Sequence, residues 1–136
     1  DLSGQLGRGR SAPGGRPSWE PDVVHLGAVE GLADATRADR LPIVLQVACG
    51  DEHTICLTDT GRVLAFGSGD HGQLGMGGVK CHRLPVLVRT LAGISEVAAG
   101  PGWSLFRGRG GEVHLAGRAE EGDNHDRRLL RPLVAP

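Results

Sequence analysis

Short apolar runs broken by glycine, rather than long amphipathic stretches, set the pattern of this chain. Residues 43–49 (IVLQVAC) form a β-branched run that Gly50 stops, and residues 53–58 (HTICLT) form a second. Asp59-Thr60-Gly61 supplies turn chemistry, residues 62–66 (RVLAF) return, and Gly67 ends them. Runs of this length between turn signals predict strands joined by hairpins. After a loop over 67–84, Pro85-Val86-Leu87-Val88-Arg89 reads as a fourth, edge-type strand, where a missing N–H is tolerated.

The same pattern recurs 50 residues later. Gln46 to Gly67 reads QVACGDEHTICLTDTGRVLAFG, and Glu96 to Gly117 reads EVAAGPGWSLFRGRGGEVHLAG. Six pairs coincide: Val47/Val97, Ala48/Ala98, Gly50/Gly100, Gly61/Gly111, Val63/Val113 and Gly67/Gly117. The glycine pairs all fall at expected turns, which chance similarity does not arrange. Four short strands per repeat of about 50 residues is the requirement of one propeller blade. At the far end, Arg131-Pro132-Leu133-Val134 matches the Pro85 segment.

The first third is less regular. Arg8 to Pro21 is a Gly/Pro/Arg-rich loop, and Ala28 to Arg40 has the spacing of a short surface helix weakened by Gly31. We therefore divide the chain into 1–42, a remnant of a preceding repeat with an insertion; 43–93, a full repeat; and 94–136, a second, degenerate one.

Composition sharpens this picture. Glycine is abundant, at 23 of 136 residues, and aromatics are scarce, which favours an all-β protein rich in tight turns. The 15 Lys+Arg and 16 Asp+Glu nearly cancel, so nucleic acid is not the expected partner. Three cysteines, Cys49, Cys56 and Cys81, make no disulfide framework of the secreted kind, so an intracellular, reducing setting is expected. No run of about 18 apolar residues predicts a membrane span.

The most specific signal follows the third strand. Gly67-Ser68-Gly69-Asp70-His71-Gly72-Gln73-Leu74-Gly75 contains GQLG, and the same string stands at Gly4-Gln5-Leu6-Gly7. With VACGxxHTxxLTxxGxVxxFG upstream, the sequence resembles the regulator of chromosome condensation repeat family. The resemblance implies a partial β-propeller of four-stranded antiparallel blades, seven-bladed in the family. Gly50, His53, Gly61, Gly67, Gly72, Gln73, Leu74 and Gly75 are then structural motif residues. Gln73 is expected to bond main-chain groups that its loop leaves unpaired, and Leu74 to plug between blades. Aligning Gly4 with Gly72 starts the chain in mid-repeat, so it is expected to be part of a longer one whose remaining blades, from the same or another chain, complete the ring.

Catalytic chemistry finds little foothold. Cys49, His53, Cys56, Cys81 and His82 lack the paired spacing of zinc ligands, and Cys49 and Cys56 read instead as buried small hydrophobes. His53 reads as a strand-start residue bonding a neighbouring turn. No nucleophile elbow, Walker A or dinucleotide fingerprint is present, so no catalytic residue, metal or cofactor is expected. Arg8, Arg10 and Arg16 read as a solvated loop. The second repeat departs from the first: Arg107 replaces Leu57, Ala116 replaces Phe66, and GQLG has decayed to Gly122-Asp123-Asn124-His125.

The expected function is therefore a protein-interaction scaffold, with guanine-nucleotide exchange on a small GTPase as the alternative that the resemblance allows. Blade strands are committed to packing, so partner contacts fall to the loops. The corresponding loops differ at Asp51-Glu52 against Pro101-Gly102, and at Asp70-His71 against Glu120-Glu121. Asp51, Glu52 and Asp70, with Trp103 as an apolar anchor, are the candidate partner-binding residues. For Trp103 the competing reading is a filler of the gap between blades.

Overall fold

The computed structural model describes residues 42–118 and 131–134, the latter as a backbone strand only. The GQLG copy at Gly4–Gly7, the Arg8/Arg10/Arg16 loop, the helix expected over 28–40 and the Gly122–His125 loop lie outside the described residues. All regular structure within them is β. Four strands, β1 (Val44–Cys49), β2 (His53–Thr58), β3 (Val63–Gly67) and β4 (His82–Leu87), form one antiparallel sheet in chain order. A second sheet repeats the plan with β5 (Ile94–Gly100), β6 (Trp103–Gly108), β7 (Val113–Gly117) and β8 (Arg131–Val134). The fourth strand begins at His82, earlier than the Pro85 start expected from sequence, so Pro85 lies inside an edge strand. An edge position explains the tolerance, because one side of such a strand needs no donor.

The 50-residue offset extends to hydrogen bonding. In the first sheet Gln46 faces Leu57 and Val47 faces Cys56; in the second Glu96 faces Arg107 and Val97 faces Phe106. Each first strand carries its irregularity at the same place, between Val44 and Gln46 and between Ile94 and Glu96. The turns match as well. Asp59 N–H donates to Ile43 O at 2.8 Å and Arg109 N–H to Gly93 O at 2.9 Å, while Ser68 N–H to Glu52 O (2.8 Å) has its counterpart in Arg118 N–H to Gly102 O (2.9 Å).

Period-2 alternation gives each strand two faces. Ile55, Leu57, Val63 and Ala65 of the first sheet pack against Val97, Phe106 and Ala116 of the second, with Leu74, Val88 and Leu91 closing the same cluster. Phe106, Ile55, Val63 and Ala65 lose all contact with water. Phe106, Ile55 and Val63 each contribute about 1.5–3 kcal/mol on burial, so this seam is what makes one body of two sheets. The other face of the first sheet buries Cys56, Leu64 and Phe66, with Val44 and Leu87 against them. Cys49, expected to be buried, is exposed, because it lies near the open end of edge strand β1; the small-hydrophobe reading holds for Cys56 alone.

Two polar links cross the seam. The Gln46 amide donates from Nε2 to Val97 O at 2.8 Å and accepts from Val97 N–H at Oε1 at 3.0 Å, so one side chain satisfies both main-chain groups of an edge residue. His53 Nε2 lies 2.8 Å from Ser104 Oγ. His53 bonds its neighbouring turn through the main chain, its carbonyl accepting from Gly50 N–H at 2.9 Å, while its ring reaches a strand side chain of the next sheet.

Candidate functional site

The loops joining β1 to β2, β3 to β4 and β5 to β6 gather at one end of the two sheets. Tight approach of backbones draws them together. Gly67, at φ +104°, lies against the Glu52 carbonyl where any Cβ would overlap it, and Gly117, at φ +94°, lies in the same way against the Gly102 carbonyl and Gln73. The positive φ and the crowding both require glycine. The 68–75 loop of the first sheet is consequently pressed onto the β5–β6 turn of the second.

Its own structure is held by local bonds. Gly72 N–H donates to Gly69 O at 2.8 Å and Gly75 N–H to Gly72 O at 3.0 Å, giving successive turns. Gln73, fully buried, accepts from His71 N–H at 2.9 Å and donates to Ser68 Oγ at 3.3 Å. The next residue, Leu74, enters the cluster between the sheets. This arrangement sends His71 outward, with its ring over Gly102.

A cleft of about 290 Å³ results, lined by Asp51, Glu52, His71, Gln73, Pro101, Gly102 and Arg118. That volume sits at the bottom of the range for small-molecule pockets, roughly 300–1,000 Å³, and matches one long side chain better than a cofactor. Asp51 and Glu52 form an exposed acidic wall, and no carboxylate contact to either is found among the described residues. Arg118 also lines the cleft and is engaged in an interaction of its own. Beside the cleft, burial holds the His53 ring below the usual imidazole range, against the opposing pull of a Trp103 main-chain contact and the Asp51 charge.

The remaining candidates fall elsewhere. Asp70 is exposed on the 68–75 loop but off the cleft, and accepts a thiol hydrogen bond from Cys81 at 3.4 Å. Trp103 is half-buried, its ring lying on Gly100 as the His53 ring lies on Gly50, and it does not line the cleft. The structure therefore brings Asp51 and Glu52 together and leaves Asp70 and Trp103 apart from them. His71, Pro101, Gly102 and Arg118 were not singled out from sequence as one site. The 50-residue offset shows only that Glu52/Gly102 and Ser68/Arg118 are repeat pairs; their coming together rests on the packing of one sheet's loop on the next sheet's turn.

Among the described residues no group of three or more His, Cys, Asp or Glu side chains is placed to hold a metal ion. No helix there is long and apolar enough to cross a membrane.

Models of the regulator of chromosome condensation (RCC1) repeat match residues 44–73 and 60–106. The chain is 34% identical over 119 residues to the RCC1 domain-containing protein RUG3, mitochondrial, of Arabidopsis thaliana, covering 86% of this chain and 23% of that protein. It is 34% identical over 108 residues to the human E3 ubiquitin-protein ligase HERC2, covering 74% of this chain and 2% of that one. The chain thus spans a quarter or less of the length of these relatives. A yeast RCC1 (Prp20) structure, solved bound to Kap60, superposes with a TM-score of 0.63 at 17% identity, covering 72% of this chain and 26% of that one, a likeness of fold. Repeat register, blade topology and these similarities agree: the chain belongs to the RCC1-like repeat family, and its two sheets are consecutive β-propeller blades.

Proposed function

We propose that the chain is a protein-binding scaffold inside the cell, and that the cleft at the seam of its two blades receives a basic side chain of the partner. The observation that carries this reading is the pair Asp51 and Glu52, two exposed carboxylates on one wall of a cleft the size of a side chain. A lysine or arginine head would meet the carboxylates in charge-assisted bonds while its stem lies along Pro101. A relative captured in complex with Kap60 is consistent with a protein partner, and the ligase named among the relatives fits a recognition role within a larger enzyme.

The test is an array of arginine- and lysine-bearing peptides probed with the chain and with its Asp51→Lys/Glu52→Lys variant. The reading expects selective binding that the variant loses. Equal binding by both would refute it. Guanine-nucleotide exchange is the narrower form of the proposal. Accelerated nucleotide release from a panel of small GTPases, lost in the same variant, would establish it.

A further inference from the structure

We propose that His71 sets the choice of basic side chain, making the cleft selective for arginine over lysine; the inference rests on the cleft taking a basic side chain at all.

The first observation is where the His71 ring stands. Gly102 carries no side chain, and a Cβ built there would come within 3.1 Å of His71 Cδ2. The ring therefore occupies space that a side chain at 102 would claim. Gly102 also turns its own backbone through φ +70°, so one glycine serves the turn and the ring together. His71 is nonetheless exposed, and it lines the cleft. Part of the imidazole lies against main chain, and the remainder is open to what enters.

The second observation is that main-chain bonds fix the walls before anything binds. Ser68 N–H holds the Glu52 carbonyl at 2.8 Å, and Arg118 N–H holds the Gly102 carbonyl at 2.9 Å. His71 N–H donates to Oε1 of Gln73 at 2.9 Å, and Gln73 is itself buried. The backbone of the acidic wall, of the turn and of His71 is thus tied down without a ligand. Preorganisation of this kind lowers the ordering cost of binding, most of all for a ligand group that is itself rigid.

Arginine and lysine differ in these respects. A guanidinium is flat, offers five N–H donors in a fixed fork, stacks on aromatic faces and is weakly hydrated. An ammonium is a compact, strongly hydrated point charge. Two carboxylates, Asp51 and Glu52, stand in the cleft against the single guanidinium of Arg118, so either cation is drawn in. The acidic wall alone does not tell them apart. Arginine can set its fork on a carboxylate and its flat face on the His71 ring at once, and lysine cannot.

The test uses labelled peptide pairs from the array, identical but for one central arginine or lysine. They are titrated with the 136-residue chain in buffer above the imidazole range and followed by fluorescence anisotropy. The arginine peptide should bind about tenfold more tightly than its lysine twin. His71→Ala should bring the arginine peptide down to the lysine level and leave the lysine peptide nearly unchanged. His71→Phe, which keeps an aromatic face, should retain the preference. The bond to Gln73 uses the main chain of residue 71, so neither variant removes it, and circular dichroism checks the fold. Equal binding of the two peptides by the unaltered chain overturns the inference while leaving the acidic wall as a site for either cation. A preference that survives His71→Ala overturns it as well. Binding of neither peptide removes the basic-side-chain reading and this inference with it.

Discussion

His53 of the first blade and Ser104 of the second meet at 2.8 Å through Nε2 and Oγ, both side chains shut away from solvent. The second ring nitrogen, Nδ1, is buried with no hydrogen-bond partner, so a charged imidazolium would be poorly accommodated. Replacing His53 with Ala removes the bond, strands the Ser104 hydroxyl and opens a cavity. We expect a loss of about 2–4 kcal/mol of stability, measured by urea denaturation, with Ser104→Ala costing less.

The same histidine gives a pH dependence. Burial lowers its folded-state pKa below the ordinary 6.5 of the unfolded chain. Its contribution is therefore complete above 6.5 and is lost as pH falls from there towards the lowered folded value. His82, lowered by burial and by Lys80, acts in the same direction. Urea midpoints should fall between pH 7.5 and pH 5, and His53→Gln should flatten that fall without abolishing it. An unchanged slope in the variant would assign the effect elsewhere.

Gln46 makes a second demand on the seam. Gln46→Leu preserves bulk but leaves the Val97 N–H and C=O unpaired, at a cost of about 1–3 kcal/mol. Gln46→Glu keeps the acceptor but sets a carboxylate against the Val97 carbonyl, so at neutral pH it should be at least as damaging. Denaturation midpoints of the two variants decide the point.

Glycine substitutions separate crowding from mere exposure. Gly67→Ala meets the Glu52 carbonyl at an unfavourable φ, whereas Gly78→Ala meets nothing within 4 Å. The first should cost about 2 kcal/mol or more and the second close to nothing, as thermal unfolding would show.

Thiol chemistry should follow burial. Cys56 is buried and its pKa is pushed up to about 11, by burial first and by Cys49 second, while Cys49 and Cys81 are exposed. Alkylation of the folded chain should label Cys49 and Cys81 and spare Cys56 until denaturant is added. Mass spectrometry of the labelled peptides reads this directly.

Much of the fold was legible because strand and turn signals repeat at one fixed interval. The hairpins ending at Gly61 and Gly111, and β2 over its full length, follow from local pattern alone. The start of β4 was not legible, since His82-Arg83-Leu84 carries no alternation and is held by pairing to Gly67. Neither was the exposure of Cys49, which depends on what stands beside an edge strand rather than on the residue itself. At the site, the acidic pair Asp51 and Glu52 could be picked out because the other repeat has Pro101 and Gly102 there. Arg118 and His71 could not, because their meeting depends on how one blade's loop is pressed onto the next blade's turn. Trp103 takes the slot that His53 holds in the first sheet, and its ring rests on Gly100 as the His53 ring rests on Gly50, a packing that residue type alone does not give.

Amide chemical-shift mapping shows whether a partner binds in the cleft between the two blades. On titrating a ¹⁵N-labelled chain with the best peptide from the array, shifts should concentrate at Asp51, Glu52, His71, Gly102 and Arg118 and vanish in the Asp51→Lys/Glu52→Lys variant. Shifts centred on another surface, with those five residues unmoved, would place the partner elsewhere and rule the cleft out.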